Sequence, residues 1–366
     1  MTGQYTSTDK LFDELYILIM AGGRGTRFWP MSRRAMPKQC LSVVGDKSLI
    51  RQTVDRVGGI VPHERILVVT ASEMAEAVRR ELPDLPEDNI LVEPMGRNTA
   101  PCIGWGAVEV GRRSVGDNAV MVVLPADHLI HDEEAFQSQL LECAAAAKST
   151  NGLITIGVTP TRPETGFGYL QLGEVRGEWG DSRFCGVAKF VEKPDLARAK
   201  QYLESGEHLW NAGMFVFSID AIREAFREFL PDSWTVLEQV RKEPAKVGEL
   251  YQELEKISID YGIMERSSKV FTVPAAFDWS DLGGWVALGS ELPKQSFGVG
   301  RVSGGSSIDA SNNIVFAPNK HVALIGVEGL VVVETEDTIL VCRREDAQRI
   351  KEITTDLEAR DLMDLL

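Results

Sequence analysis

From residue 15 to about 150, short apolar runs alternate with stretches patterned as helices, and that alternation leaves few folds open. "LYILIMA" (15–21), "RILVVTA", "NILVE" and "NAVMVVLPA" have the length and continuous apolarity of buried strands. "SLIRQTVDRV", "SEMAEAVRREL", "NTAPCIGWGAVEVGRR" and "DEEAFQSQLLECAAAAKS" between them repeat apolar positions at helical spacing. Successive βα units predict an α/β fold, a Rossmann-like and mostly parallel sheet with flanking helices. Ligands of such open sheets bind beyond the carboxyl ends of the strands, so "GGRGTR", "EPMGRN" and "PADH" are expected to converge. Past residue 150 the pattern loosens. It suggests an insertion that continues the sheet and adds a smaller mixed one over its mouth, followed by helical stretches to about 267. Residues 297–343 are short strands broken by Gly, Asn and Asp without helices, which predicts a small β-rich domain (297–366) closed by a helix, behind a larger domain over 15–290.

The first 14 residues, "MTGQYTSTDKLFDE", lack the basic start and apolar core of a secretory signal and read as a loose tail, which implies a cytoplasmic protein. No run approaches the roughly 18–20 apolar residues of a membrane span. Cys40, Cys102, Cys143, Cys185 and Cys342 are odd in number and form no CxxC pair, so reduced core thiols are expected. His128 and His131 form an HxxH without nearby Cys, a weak metal signal. A net charge of -15 argues against nucleic acid as a partner.

Against that acidity one loop is strongly basic. "AGGRGTRFWPMSRRAMPKQ" (21–39) carries Arg24, Arg27, Arg33, Arg34 and Lys38, and no Asp or Glu occurs from Leu15 to Gly45. It contains no GxxxxGK[ST], and Phe28 occupies the third glycine position of a dinucleotide fingerprint. What remains is a strand, a glycine loop and cations. Backbone N–H groups exposed by Gly22, Gly23 and Gly25 can wrap a phosphate chain, with Arg27 and Lys38 to hold its charge. The alternative is a solvated loop whose arginines cap helices or pair with carboxylates elsewhere. Asp127, directly after "AVMVVLPA", and Asp281, in "DWSDLGG", sit in turns where a carboxylate suits a magnesium ion on nucleotide phosphates, unless both merely cap helices.

The loop resembles the signature of the sugar-1-phosphate nucleotidyltransferases, and its "FWPMSR" and "PKQ" parts resemble the mannose-1-phosphate guanylyltransferases in particular. "VEPMGRNTAPCI" (92–103), "LPADH" (124–128), "ETGFGYL" (164–170), "FVEKP" (190–194), "WNAGMF" (210–215) and "FDWSDLGGW" (277–285) extend the resemblance in order along the chain. It implies a glycosyltransferase-A-like catalytic domain with a β-helix-like appendage, a homodimer, and transfer of GMP from GTP to mannose 1-phosphate with Mg2+. By the same resemblance Gly22, Gly23, Arg24, Gly25, Thr26 and Arg27 would hold the triphosphate and Lys38 would bridge phosphates. Glu93, Asn98, Thr99 and Pro101 would form the guanine and ribose pocket. Gly168, Glu192, Lys193, Asn211 and Asp281 would meet the sugar phosphate, and Asp127 and Asp281 the magnesium. Cys40 and Met31 depart from the family's usual residues without touching a ligand group. A different sugar 1-phosphate (glucose or a heptose) and a silent nucleotide-sugar-binding subunit stay open, and Arg33 and Arg34 stay unassigned.

Overall fold

The computed structural model describes residues 14–23, 25–115 and 119–366, so all but the last residue of the expected tail, and Arg24, lie outside it. Its centre is β1 (Leu15–Ala21), hydrogen-bonded in parallel to β2 (Ile66–Ala71) on one side and β4 (Val120–Pro125) on the other, with β3 (Ile90–Glu93) outside β2. The unbroken apolarity of "LYILIMA" follows from this position. Tyr16 and Leu18 enter one core with Trp105 and Phe226, while Leu15, Ile17 and Ile19 enter another with Val54 and Phe136.

The remainder of the sheet is mixed. β5 (Leu153–Val158), β6 (Tyr169–Trp179), β7 (Ser182–Val191), β8 (His208–Ser218) and β9 (Val270–Pro274) complete the order β3-β2-β1-β4-β8-β5-β9-β7-β6. β8 runs antiparallel to both neighbours, β4 and β5, so the parallel half stops at β4. The described residues between β5 and β9 form no separate small sheet. The β6–β7 hairpin extends the main sheet instead, with β6 also pairing with β8. A central strand covered on both faces is apolar in either orientation, so the sequence carried no sign of the reversal.

Two consequences bear on the site. Chain order reverses between β1 and β4, and the loops leaving those strands diverge from one point. β8 arrives there from the opposite direction, which puts Gly213 against Pro125 and Asn211 beside the same end of the sheet.

The C-terminal part forms a five-stranded sheet from β10 (Lys294–Gln295), β11 (Gly298–Ile308), β12 (Asn313–Ile325), β13 (Leu330–Glu334) and β14 (Ile339–Arg343). β11, β12 and β13 are parallel with no helix between them, which is the winding of a β-helix, and antiparallel β10 and β14 close its ends. Buried Asn313 ties the coils: its amide donates to the carbonyls of Phe297 and Val327 and accepts from Leu330 N–H. The expected closing helix is present as Ile350–Ala359. No helix among the described residues is long and apolar enough to cross a membrane.

The two parts share one apolar core. Phe28, Trp29, Leu282 and Trp285 pack with Phe316, Val331, Val333, Ile350 and Leu357. Trp285 lies 5.2 Å from Phe28 and 5.4 Å from Phe316, ring centre to ring centre, and its indole N–H donates to the Trp29 carbonyl at 3.1 Å. Replacing this fully buried side chain, Trp285→Ala, should lower unfolding free energy by about 3–5 kcal/mol in urea titrations, whereas a loss below about 1 kcal/mol would contradict the packing described.

Candidate active site

Gly22 and Gly23 leave β1 exposed to solvent, and Gly25 turns the loop with φ 62°. A side chain at Gly25 would sit 2.2 Å from the Lys38 Cβ, so glycine is demanded twice, by conformation and by space. The turn is pinned from within: Ser32 Oγ donates to the Gly25 carbonyl at 2.8 Å, and the Gln39 amide donates to the Ala21 carbonyl at 2.8 Å. Phe28 goes down into the core, while Thr26 and Arg27 stay exposed above it.

Lys38 lies under this turn and is only 6% exposed. Its Nζ meets Asp127 Oδ2 at 2.8 Å and donates to the Asp281 carbonyl at 2.7 Å. Asp281 reaches the centre because Leu129 and Ser280 exchange backbone hydrogen bonds of 2.9 and 3.0 Å, which join the β4 loop to the segment after β9. The two carboxylates differ. Burial pushes Asp127 up, but Lys38 and His128 outweigh it and hold the group below the usual carboxylate range. Burial also raises Asp281, the Asp127 charge adds to the rise, and Lys38 and Arg162 correct it only in part. Among the described residues the Asp281 carboxylate accepts no hydrogen bond and forms no ion pair, so its charge is offset only in part, by Lys38 and Arg162. Burial drives His128 down to about 4, so it is neutral at physiological pH. Its Nδ1 accepts from the Trp279 indole at 3.1 Å, which leaves the proton on Nε2. His131 is turned away to Asp278 and Glu291 at 2.6 and 3.3 Å, so the HxxH pair does not act as one site.

Two cavities meet at this centre, sharing His128 and Asp281. One, of about 400 Å³, is bounded by residues 25–28, Lys38, Asp127 and residues 281–283. The other, of about 240 Å³, is bounded by Thr99, residues 166–168, Glu192, Asn211, Asp260 and Trp279. In the second, the Asn211 N–H donates to the Gly168 carbonyl at 2.8 Å. A Cβ on Gly168 would lie 2.5 Å from Glu192 Oε2, so glycine again makes room for a polar group. Lys193, at φ 48°, pairs with Glu192 at 2.8 Å. Phe167, Trp210 and Trp279 form an edge-to-face aromatic wall.

Asn98 caps the helix Thr99–Arg113 by accepting from Thr99 N–H, and the Thr99 hydroxyl accepts from Ile259 N–H. Pro101 is buried in that helix's first turn, where it shapes the helix start. Glu93, at the end of β3, is 5% exposed and raised by burial; one carboxylate oxygen accepts a short hydrogen bond from Tyr251, and the other faces Gly22.

Three participants were not singled out from the sequence. His128 stands in the sequence only as half of an HxxH. Tyr251 and Asp260 come from stretches read simply as helical; Asp260 opens a π-helical turn (Asp260–Met264), receives the Asn211 amide at 2.8 Å and is pushed by burial and by Glu192 up to about 6. Arg33 and Arg34 face away from both cavities. Arg33 pairs with Asp337 at 2.8 Å and Arg34 with Glu358 at 2.6 Å, both in the C-terminal domain.

Residues 16–294 match the family model described as nucleotidyl transferase, and residues 306–357 match the MannoseP isomerase/GMP-like beta-helix domain. A mannose-1-phosphate guanylyltransferase of Klebsiella pneumoniae is 38% identical over 91% of this chain and 72% of its own length. The xanthan biosynthesis protein XanB of Xanthomonas campestris pv. campestris is 38% identical over 93% and 73%. A crystal structure from Thermus thermophilus, described as mannose-1-phosphate geranyltransferase, superposes with a TM-score of 0.83 at 35% identity, covering 94% of this chain and 99% of that one.

Because the Asp260 carboxyl titrates near 6 when folded and near 3.8 when free, the folded state holds the extra proton between those values, and stability is lost as pH rises through that window. Asp260→Asn should therefore be more stable than the parent at pH 8 by about 1–3 kcal/mol, with the gap closing toward pH 4. A gap independent of pH in urea titrations would contradict this.

Proposed function

We propose, for a chain that belongs to the nucleotidyl transferase family and within it to the mannose-1-phosphate guanylyltransferases, that the two joined cavities carry GTP and mannose 1-phosphate to the reaction giving GDP-mannose and pyrophosphate. The observation that carries the reading is the junction of the cavities at Lys38, Asp127 and Asp281. An α-phosphorus placed there has the triphosphate loop on one side and the sugar pocket on the other. A phosphate oxygen of the sugar phosphate attacks it, and the bond to the bridging oxygen breaks. Pyrophosphate departs with the electron pair on that oxygen. The nucleophile is already an anion, so no general base is needed, and catalysis comes from position and fixed charge. The presence of Arg27, Lys38, Asp127 and Asp281 together argues against a silent subunit.

Base choice falls to Glu93. With Tyr251 holding one oxygen, the free oxygen toward Gly22 is an acceptor, which suits the N1–H and N2–H donors of guanine and opposes the N1 acceptor of adenine. Sugar choice falls to Glu192, Asn211 and Asp260, whose acceptors converge in one small cavity. Magnesium would be held by Asp127 and Asp281, two oxygen donors of which only Asp127 has an ion pair among the described residues, and when bound it would neutralise phosphate charge as a Lewis acid. The expectations of a cytoplasmic enzyme and of a homodimer are kept. All five thiols are unpaired, as in a reducing compartment, and Ile308 and Ile325 stand side by side and exposed on the β-helix, where a second copy would cover them.

Pyrophosphate release measured across four nucleoside triphosphates and several sugar 1-phosphates should be fastest for GTP with mannose 1-phosphate, and absence of turnover with that pair would overturn the reading. Lys38→Ala should cost on the order of 10²–10³ in kcat, while Arg34→Ala, which only loses an exposed ion pair, should stay within about 2-fold; equal losses would misplace the phosphates. Glu93→Gln should narrow the preference for GTP over ATP by at least ~10-fold in kcat/KM.

A further inference from the structure

The phosphate cavity has one wall that the nucleotidyl transferase domain does not supply. Apart from residues 25–28, Lys38, residues 127–128 and residues 281–283, its lining consists of Lys351, in the first turn of the closing helix Ile350–Ala359. The helix is anchored there by Ile350 and Leu357, both buried in the core shared with Phe28 and Trp285.

Charge pairing distinguishes Lys351 from its neighbours. Arg349 is matched by Asp346 and Glu352, Arg343 by Glu345, and Arg360 by Asp356. Inside the cavity, Lys38 is matched by Asp127. Among the described residues Arg27 and Lys351 are the cavity's cations without an ion pair. Two carboxylates already outnumber Lys38 at the centre, and a triphosphate adds further negative charge, so side-chain cations without a carboxylate partner are favoured on this side.

The position along the cleft narrows the ligand. The sugar pocket shares only His128 and Asp281 with this cavity, and Lys351 lies in the part that the sugar pocket does not share. With the α-phosphate at Lys38, that part holds the leaving end of the triphosphate. We propose that Lys351, delivered by the β-helix domain, binds the β- and γ-phosphates of the nucleotide and the pyrophosphate released from it. The appendage is then part of the active site. This inference rests on the guanylyltransferase reading above.

The test is steady-state kinetics of the reverse reaction, GDP-mannose with pyrophosphate and magnesium. Lys351→Ala should raise the KM for pyrophosphate by ~10-fold or more while the KM for GDP-mannose stays within about 2-fold, and Lys351→Arg should restore most of the loss. Arg343→Ala, which removes an exposed cation of the same domain, should behave as the parent. An unchanged pyrophosphate KM in Lys351→Ala, or equal rises for both substrates without rescue by Arg, would overturn the assignment to Lys351. A parent protein inactive in both directions would instead overturn the guanylyltransferase reading itself.

Discussion

The ammonium of Lys38 is almost withdrawn from water, and three distant segments close around it: the loop after β1, Asp127 after β4 and Asp281 after β9. A buried cation is tolerated only when its donors are matched, and here one carboxylate and one carbonyl match it. Much of the surrounding structure follows. Gly25 has no room for a side chain, Leu282 takes a positive φ of 42°, and the Leu129–Ser280 pairing becomes necessary to hold Asp281 in reach. With Asp127 paired to Lys38 and the Asp281 carboxylate without an ion pair among the described residues, the proposed magnesium and triphosphate would meet both carboxylates at this centre.

A glycine loop that wraps phosphate is costly to order at the moment of reaction. In this chain the glycine loop after β1 is ordered beforehand from the far side. Trp29 donates to the Leu365 carbonyl at 2.8 Å, Trp285 donates to the Trp29 carbonyl, and Arg33 forms an ion pair with Asp337 of the C-terminal domain. The basic loop therefore has two faces: Arg27 and Lys38 toward the cleft, and Arg33 and Arg34 toward the domain that braces it. Fixed dipoles and charges of this kind are worth most when they need not reorganise.

How much of this was legible in the sequence depends on the range of the interaction. The glycine loop and the segments holding Asp127 and Asp281 are local patterns, and the fold brings them together at Lys38; the βα units and the β-rich tail are local patterns too, and they read correctly. The antiparallel β8 did not, because burial on both faces gives the same apolar run in either direction. Asp260 and Tyr251 carried no local mark; their importance comes from meeting Asn211 and Glu93 far away in sequence. Arg33 and Arg34 are chemically the same as the residues that face the cleft, and only the docked β-helix domain tells them apart. Pro101 lies inside a recognisable motif, and only the fold shows that its ring is buried in the first turn of a helix.

The central claim is that Asp127 and Asp281 make the basic loop a site for a metal-bound triphosphate. Titration calorimetry of GTP into the parent protein and Asp281→Asn, each with and without magnesium, addresses it directly. Magnesium should tighten GTP binding to the parent several-fold and have little effect on the variant, because the carboxylate that repels a bare triphosphate and would hold the ion is gone. Equal GTP affinity in all four titrations would contradict the account.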